Sequence, residues 1–274
     1  MKINILTPDS KRANLAAMKI SAWHKANGDD VVLDFPLRKA DFTYASVLFK
    51  WTPDPIADLV GGSKYPERKL DSEIDKMKPD YSLYPHLDYS LGYTYKACSR
   101  TCEFCIVPKQ NNDEQHYSIW TFHNPKFKKI RLMNNNTFAD LNWRETLKEI
   151  FDAKLILKDE SGFDLRLMDD EKAFWLKRLK IDGKIHYAWD RMQDEREIFN
   201  GLRIVPKGMV YVLVGYDTTI EEDIYRCQMI VDFGHDPYPM PYTHSKQEMR
   251  FKRFINLYAW RKYDTIAAAW KEYK

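Results

Sequence analysis

The chain has 274 residues, 44% of them apolar, enough for a sizeable core in one large domain or in a domain with a small partner. Lys and Arg number 43 against 40 Asp and Glu, a formal charge of +3, so the strong basic excess of a nucleic-acid footprint is missing. No apolar run approaches the roughly 18 residues needed to span a bilayer, and MKINILTPDSKR carries too short an apolar run for a signal peptide. No membrane partner is expected, and the expected compartment is cytoplasmic and reducing. There, clustered cysteines point to a metal or catalytic site rather than to disulfides.

Residues 1–85 read as a small α/β domain. INIL, at 3–6, predicts a strand. Leu15, Met18, Ile20 and Trp23 then recur at roughly helical spacing, and Gly28 stops that helix. VVLDF (31–35) and ASVLFKW (45–51) are apolar runs suited to a buried parallel sheet. ADLVGGSKYP offers a short strand ahead of Gly61 and Gly62. Residues 63–88, rich in Pro, Lys and Asp, read as a linker.

Residues 86–274 form the second expected domain, in which strands and helices alternate. Strands are predicted at 89–95, 129–134, 163–168, 184–190, 208–216 and 236–242. A helix runs from about Asn142, its expected cap, to Ala153. DDEKAFWLKRLK is a helix with acidic residues in its first turn, and DEREIFNGL is another. TTIEEDIYRCQMIVDFG has a Thr cap and a Gly stop, and SKQEMRFKRFINLYAWRKY closes the chain as an amphipathic helix. Such alternation predicts a parallel sheet with helices outside, either doubly wound or curled into a barrel. Ligands of these sheets bind at the carboxyl ends of the strands.

YKACSRTCEFCIVPK, residues 95–109, holds three of the four cysteines, Cys98, Cys102 and Cys105. It begins where the first of the six strands ends. One reading is a structural zinc site, which needs a fourth ligand from His116, His123 or Cys227. The other is a [4Fe–4S] cluster held by three thiolates, which leaves one iron open. Cys227 falls in mid-helix and reads as a small hydrophobe.

The Cys-x3-Cys-x2-Cys spacing resembles the cluster motif of the radical S-adenosylmethionine (SAM) enzymes. Phe104 before the third cysteine, the GYTY lead-in, Pro108 and the later alternation extend the resemblance over about residues 88–262. It implies a partial (β/α)6 TIM-like barrel. It also implies that SAM chelates the open iron through its amino and carboxylate groups. An electron donor of flavodoxin or ferredoxin type would reduce the cluster, and SAM would be cleaved to a 5′-deoxyadenosyl radical that abstracts hydrogen from a substrate. Many members have Gly before the first cysteine. This chain has Ala97, which matters if the loop needs a left-handed residue there.

The resemblance also assigns expectations to the other strand ends. Members place a polar motif, often Gly-Gly-Glu, against the SAM amino group after the second strand. Here Asn134, Asn135 and Asn136 stand in that place. A carboxamide oxygen accepts a hydrogen bond from an ammonium, although an asparagine-rich turn is the plainer reading. Asp164 and Arg166 are two apart, on one face of the third strand, and are expected to form an ion pair or hold a carboxylate. His186, Ala188 and Asp190 share a face of the fourth. Asp190 is expected to accept from a ribose hydroxyl, and His186 to be structural. Gly215 would let the fifth strand approach adenine, with Asp217 as a turn residue. Tyr238, Met240 and Tyr242 would line the substrate mouth or close the barrel wall.

The small first domain resembles a truncated, flavodoxin-like, cobalamin-binding-like domain. It lacks the Asp-x-His-x-x-Gly pattern that ligates cobalt, and His24 lies within a predicted helix. Only Gly61-Gly62 echoes the glycines near a cobalamin tail, so cobalamin is not expected. No cysteine precedes Cys98, which excludes a second cluster like that of the methylthiotransferases. The substrate is not legible. An open-sided barrel suits a peptide or a nucleic acid, and the basic, aromatic C-terminal segment fits either a nucleic-acid surface or a barrel helix. Two alternatives stand beside this reading: a cobalamin-dependent radical SAM methyltransferase and a non-catalytic zinc-binding protein.

Overall fold

The computed structural model describes residues 1–10, 12–35, 39–110, 113–158 and 161–273. Internal contacts group the chain into Met1–Ile130 and Arg131–Lys274. It is a mixed α/β protein with parallel sheets.

In the first unit, β1 (Lys2–Leu6) leads through α1 (Leu15–Ala26) to β2 (Asp30–Leu33), followed by β3 (Phe42–Ser46) and β4 (Leu59–Gly61). They form a parallel sheet in the order β2-β1-β3-β4. Asn14 caps α1 by accepting the Ala17 N–H at 3.1 Å. Ala17 and Ile20 of the helix pack on Ile3 and Ile5 of β1.

Two details differ from expectation. The run at 45–51 leaves the sheet after Ser46, because the Asp9 carboxylate takes the N–H groups of Leu48 and Phe49 at 3.0 and 2.9 Å. Residues 63–88 are not a bare linker. They contain α2 (Ser72–Asp75), and Leu70, Ile74 and Leu83 pack on the core of the sheet. The polar residues that gave the segment its linker composition include caps: Asp71 accepts from Glu73 N–H at 2.8 Å and Asp80 from Ser82 N–H at 2.9 Å.

β5 (Tyr89–Gly92) is buried at all four residues. Gly92 is required by packing, since a Cβ there would lie 2.3 Å from the ring of Phe122. β6 (Lys129–Leu132) spans the boundary between the units.

In the second unit come α3 (Trp143–Asp152), β7 (Ile156–Lys158), β8 (Phe163–Asp164), α4 (Asp170–Arg178), β9 (Lys180–Asp182), β10 (His186–Trp189), α5 (Glu195–Ile204), β11 (Met209–Val214), α6 (Ile220–Asp232), β12 (Asp236–Pro241), α7 (Lys246–Asn256) and α8 (Ile266–Glu272). Strands β8, β10, β11 and β12 form a parallel sheet in the order β12-β11-β10-β8. Its buried face carries Tyr187, Trp189, Val210, Val212 and Val214, and α6 packs on β11 and β12. Gly201 lets α5 approach the chain after β8, where a Cβ would meet the Leu165 carbonyl at 2.6 Å.

Three prolines in β12 are compatible with pairing because the strand is an edge. Asp236 N–H and Tyr242 N–H donate to Gly208 and Val214 carbonyls, both at 3.0 Å, so even-numbered residues face β11. Pro237, Pro239 and Pro241 fall on the other side, where no ladder donor is needed.

The third predicted strand shortens to two residues. Asp164 accepts the Arg166 N–H at 3.1 Å and turns the chain into a 3-10 turn over Leu165–Leu167. Asp164 and Arg166 therefore meet across a turn rather than along a strand face. A short parallel pair, β7 with β9, was not expected from the sequence. Asn142 sits at the cap position of α3 without a side-chain cap bond, and Asp140 accepts its N–H at 2.8 Å instead. Thr219 caps α6, as the sequence predicts, and Glu222 completes a capping box with it. Among the described residues no helix is long and apolar enough to cross a membrane.

Candidate functional site

The cysteines lie in the first unit, on the irregular segment that leaves the carboxyl end of β5. The lead-in is held on several sides. Thr94 is buried and its carbonyl accepts the Tyr117 N–H at 2.8 Å. Tyr95 and Ala97 are buried. Ala97 is not among the residues with positive φ, so its methyl group is accommodated where the resemblance had placed Gly.

All three cysteines are half-buried thiols, not disulfides. The Cys105 N–H donates to the Cys102 carbonyl at 3.0 Å, closing a turn between the last two. Half-buried Phe104 lies inside that turn, and Val107–Lys109, with Pro108, forms a 3-10 turn after it. Among the described residues no three His, Cys, Asp or Glu side chains are gathered closely enough to hold one metal ion. A cubane makes a different demand, since each thiolate takes its own iron and the sulfurs stand apart.

The fourth-ligand candidates each have surroundings of their own. His123 is buried, with Nδ1 2.9 Å from Ser90 Oγ, and burial lowers its pKa. Cys227 lies in the second unit, wholly buried in α6, and burial pushes its thiol far up. His116 is half-buried in the loop before Tyr117.

The second unit collects the other candidates at strand ends. Asn134 and Asn136 are buried and Asn135 is half-buried, just after β6. Asn134 Nδ2 donates to Thr137 Oγ1 and Asn136 Nδ2 to Asp164 Oδ2, each at 3.2 Å. Arg166 grips Asp164 with Nε at 2.7 Å and Nη2 at 3.0 Å, and reaches Asp194 with Nη1 at 2.9 Å. Of the two roles expected for Asp164 and Arg166, the ion pair is the one formed.

Asp190 follows β10. Burial is the largest influence on its carboxyl and pushes the pKa up to about 6, against the pull of Arg166 and Arg226. His186 stacks on Tyr211 with ring centroids 5.2 Å apart. Gly215 has φ +75°, and a Cβ on it would meet the Glu248 carboxylate at 2.6 Å, so the fold itself demands glycine there. Asp217 faces Arg191 at 3.7 Å. Tyr238 receives Lys252 over its ring at 5.3 Å, and Tyr242 meets Tyr216 edge-on at 4.9 Å.

No family model matches the chain, and no curated protein matches it in sequence. Among solved structures, it is similar to TsrM from Kitasatospora setae, a radical SAM methyltransferase, in a structure with cobalamin and a [4Fe–4S] cluster bound. The TM-score is 0.57 at 10% identity, over 88% of this chain and 74% of that one. A second structure of TsrM, with tryptophan substrate and the SAM analogue aza-SAM, matches at 0.57 and 9% identity, over 87% and 72%. The chain shares the fold of these structures.

Within this fold, sequence reasoning missed one buried charge cluster. Arg226 is fully buried on α6. It donates to the Trp189 and Asp190 carbonyls, both at 3.0 Å, and to the Leu213 carbonyl at 2.5 Å. It thereby ties the carboxyl ends of β10 and β11 together. Asp223, one turn earlier on the helix, is its counter-ion. The signal was in the sequence: Asp223 and Arg226 are opposite charges three apart, beside the apolar stripe of Ile224, Cys227 and Ile230. Asp194, the second partner of Arg166, was missed because it lies 28 residues away in sequence.

Proposed function

We propose that this chain is a radical SAM enzyme in which Cys98, Cys102 and Cys105 hold a [4Fe–4S] cluster. The carrying observation is the three thiols at Cys-x3-Cys-x2-Cys spacing, at the carboxyl end of a strand, in a chain of radical SAM fold. A cluster bound there would supply the electron that cleaves SAM to methionine and a 5′-deoxyadenosyl radical, which would take hydrogen from the substrate. In this reading residues 86–274 are a partial (β/α)6 TIM-like barrel, supported by the parallel β8-β10-β11-β12 sheet with a helix after each strand. Residues 1–85 are the truncated flavodoxin-like domain, supported by the strand order β2-β1-β3-β4.

The chain's own residues bind and orient. Asn134 and Asn136 direct their amide nitrogens at Thr137 and Asp164, an orientation assigned from the hydrogen bonds. Their carboxamide oxygens, with that of Asn135, suit the SAM ammonium. Arg166 and Asp164 brace that turn. Asp190 accepts from a ribose hydroxyl, Gly215 keeps the backbone close to adenine, and Phe104 shields the cluster. A cytoplasmic setting and a flavodoxin- or ferredoxin-type donor belong to the same reading, with a peptide or nucleic acid as substrate.

Cobalamin-dependent methyl transfer is the second reading, favoured by the cobalamin in the TsrM structure. The residues of the first unit do not fit that group. In a sheet of this order the ligand crevice opens between the loops after β1 and β3. Here Asp9 of the first loop binds the Leu48 and Phe49 N–H groups of the second, and Asn14 Nδ2 donates to Ser46 Oγ at 2.9 Å. Gly62 is pressed on the Val47 backbone, where a Cβ would lie 2.3 Å from the carbonyl oxygen. The crevice is laced by its own side chains.

The test is anaerobic reconstitution with iron and sulfide, then SAM and dithionite, with 5′-deoxyadenosine as the readout. Cleavage is expected from wild type and Cys227→Ala, and none from Cys98→Ala, Cys102→Ala or Cys105→Ala. A colourless preparation with one zinc and no sulfide overturns the reading.

A further inference from the structure

Three charged side chains converge just ahead of the cysteines, all within the first unit. Lys96, two residues before Cys98, places its ammonium 2.5 Å from one Asp75 carboxylate oxygen. Lys19, on α1, donates to the other at 2.7 Å and also to the Asp75 carbonyl. Asp75 ends α2, whose Ile74 is buried in the core under the sheet. The side chains are sheltered, with 13% of Lys19, 16% of Lys96 and 33% of Asp75 exposed. Burial works against the charge on Asp75, and hydrogen bonds from Lys19 and Lys96 overcome it and hold the carboxyl below its ordinary pKa.

This arrangement does two things. It anchors the cysteine lead-in to two helices of the α/β sheet, through a side chain that neighbours buried Ala97. It also brings together two basic side chains and one acidic one. Two residues of chain span at most about 7 Å, so the backbones of Lys96 and Cys98 lie within this distance of each other. In a sheltered setting a unit charge is screened less than at an exposed surface. Reduction moves one electron from the donor to the cluster and breaks no bond there, so it adds one negative charge.

We propose that Lys19, Asp75 and Lys96 are positioning residues for the cluster loop, and that their net positive charge favours the reduced cluster. The inference rests on the cluster reading above. It gives the α/β unit a task that needs no cofactor of its own: holding the loop and setting the field in which the cluster accepts its electron.

The experiment is an EPR-monitored redox titration of anaerobically reconstituted protein, with iron and sulfide counted. Lys96→Met leaves a neutral Lys19–Asp75 pair. It should shift the reduction equilibrium about tenfold towards the oxidised cluster, about 59 mV more negative for one electron. Lys96→Arg keeps the charge and should restore the potential, which a loss of packing alone would not predict. Lys19→Met removes the same charge from the far side, away from the loop, and should move the potential in the same direction. It decides the matter if Lys96→Met fails to fold. Loaded variants with the wild-type potential overturn the inference and leave the cluster reading standing. Wild-type protein that takes up no iron and sulfide overturns both.

Discussion

Asp190 is an acid whose ionisation the fold resists. Its backbone carbonyl is held by Arg226 Nη1, but burial dominates its carboxyl, and Asp164 and Asp194 add to the upward shift. The sign for stability follows from the direction. The folded carboxyl, at about 6, holds its proton more tightly than an unfolded Asp at 3.8. The folded state is therefore favoured as pH falls through 6, and the ionised side chain costs stability above it. Asp190→Asn removes that cost. It should raise the melting temperature at pH 8 by about 2–4 °C, the response of a chain of this size to about 1 kcal/mol. The gain should shrink as the pH is lowered from 6 towards 4. Thermal unfolding across that range checks it, and a gain that does not change with pH would show that the carboxyl is not destabilised by burial.

The element that delivers the cysteines depends on one missing methyl group. β5 is buried throughout, and Gly92 at its end lies against the Phe122 ring. That ring has little freedom to yield: Phe122 is buried, its N–H is bonded to the Ile119 carbonyl at 3.1 Å, and its carbonyl accepts the Tyr81 hydroxyl at 2.7 Å. Gly92→Ala should cost about 1–3 kcal/mol, as overpacking does. A lower urea midpoint with an unchanged slope is the expected result, and an unchanged midpoint would mean that the segment shifts freely. Elements of this kind were legible where burial is uniform, as in β5, or alternates along the strand, as in β10 and β11. The strands β5, β10 and β11 read directly, as did the Thr219 cap. Elements set by a distant side chain were not. β3 ends where Asp9 captures Leu48 and Phe49, and β8 ends where Asp164 turns the chain. The three-residue strands β7 and β9 carry too few residues for a period to appear. The cysteines were legible because their spacing is local. The brace of Lys96 on Asp75 was not, because its partners lie 21 residues apart and only the fold brings them together.

At the scale of the whole molecule, the two cofactors of the TsrM structure make different demands on this chain. TsrM shows that this fold accommodates both a cluster and cobalamin. The thiols for the first are present here, at half-buried positions on one loop. The crevice for the second is crossed by bonds that the chain makes to itself. Thr7 adds to them, donating through its hydroxyl to Asp34 Oδ2 at 2.7 Å, so the loop after β1 is tied to the end of β2 as well as to the loop after β3. A corrin tail entering there would have to break the bonds of Asp9 to two backbone N–H groups and leave them without partners. Each such loss costs about 1–3 kcal/mol. That expense comes before any ordering of the ligand. The cluster-loaded protein, incubated with hydroxocobalamin and passed through a desalting column, should emerge without the visible absorption of a corrinoid. One equivalent retained would show that the latch opens, and would make methyl transfer the better reading of this fold.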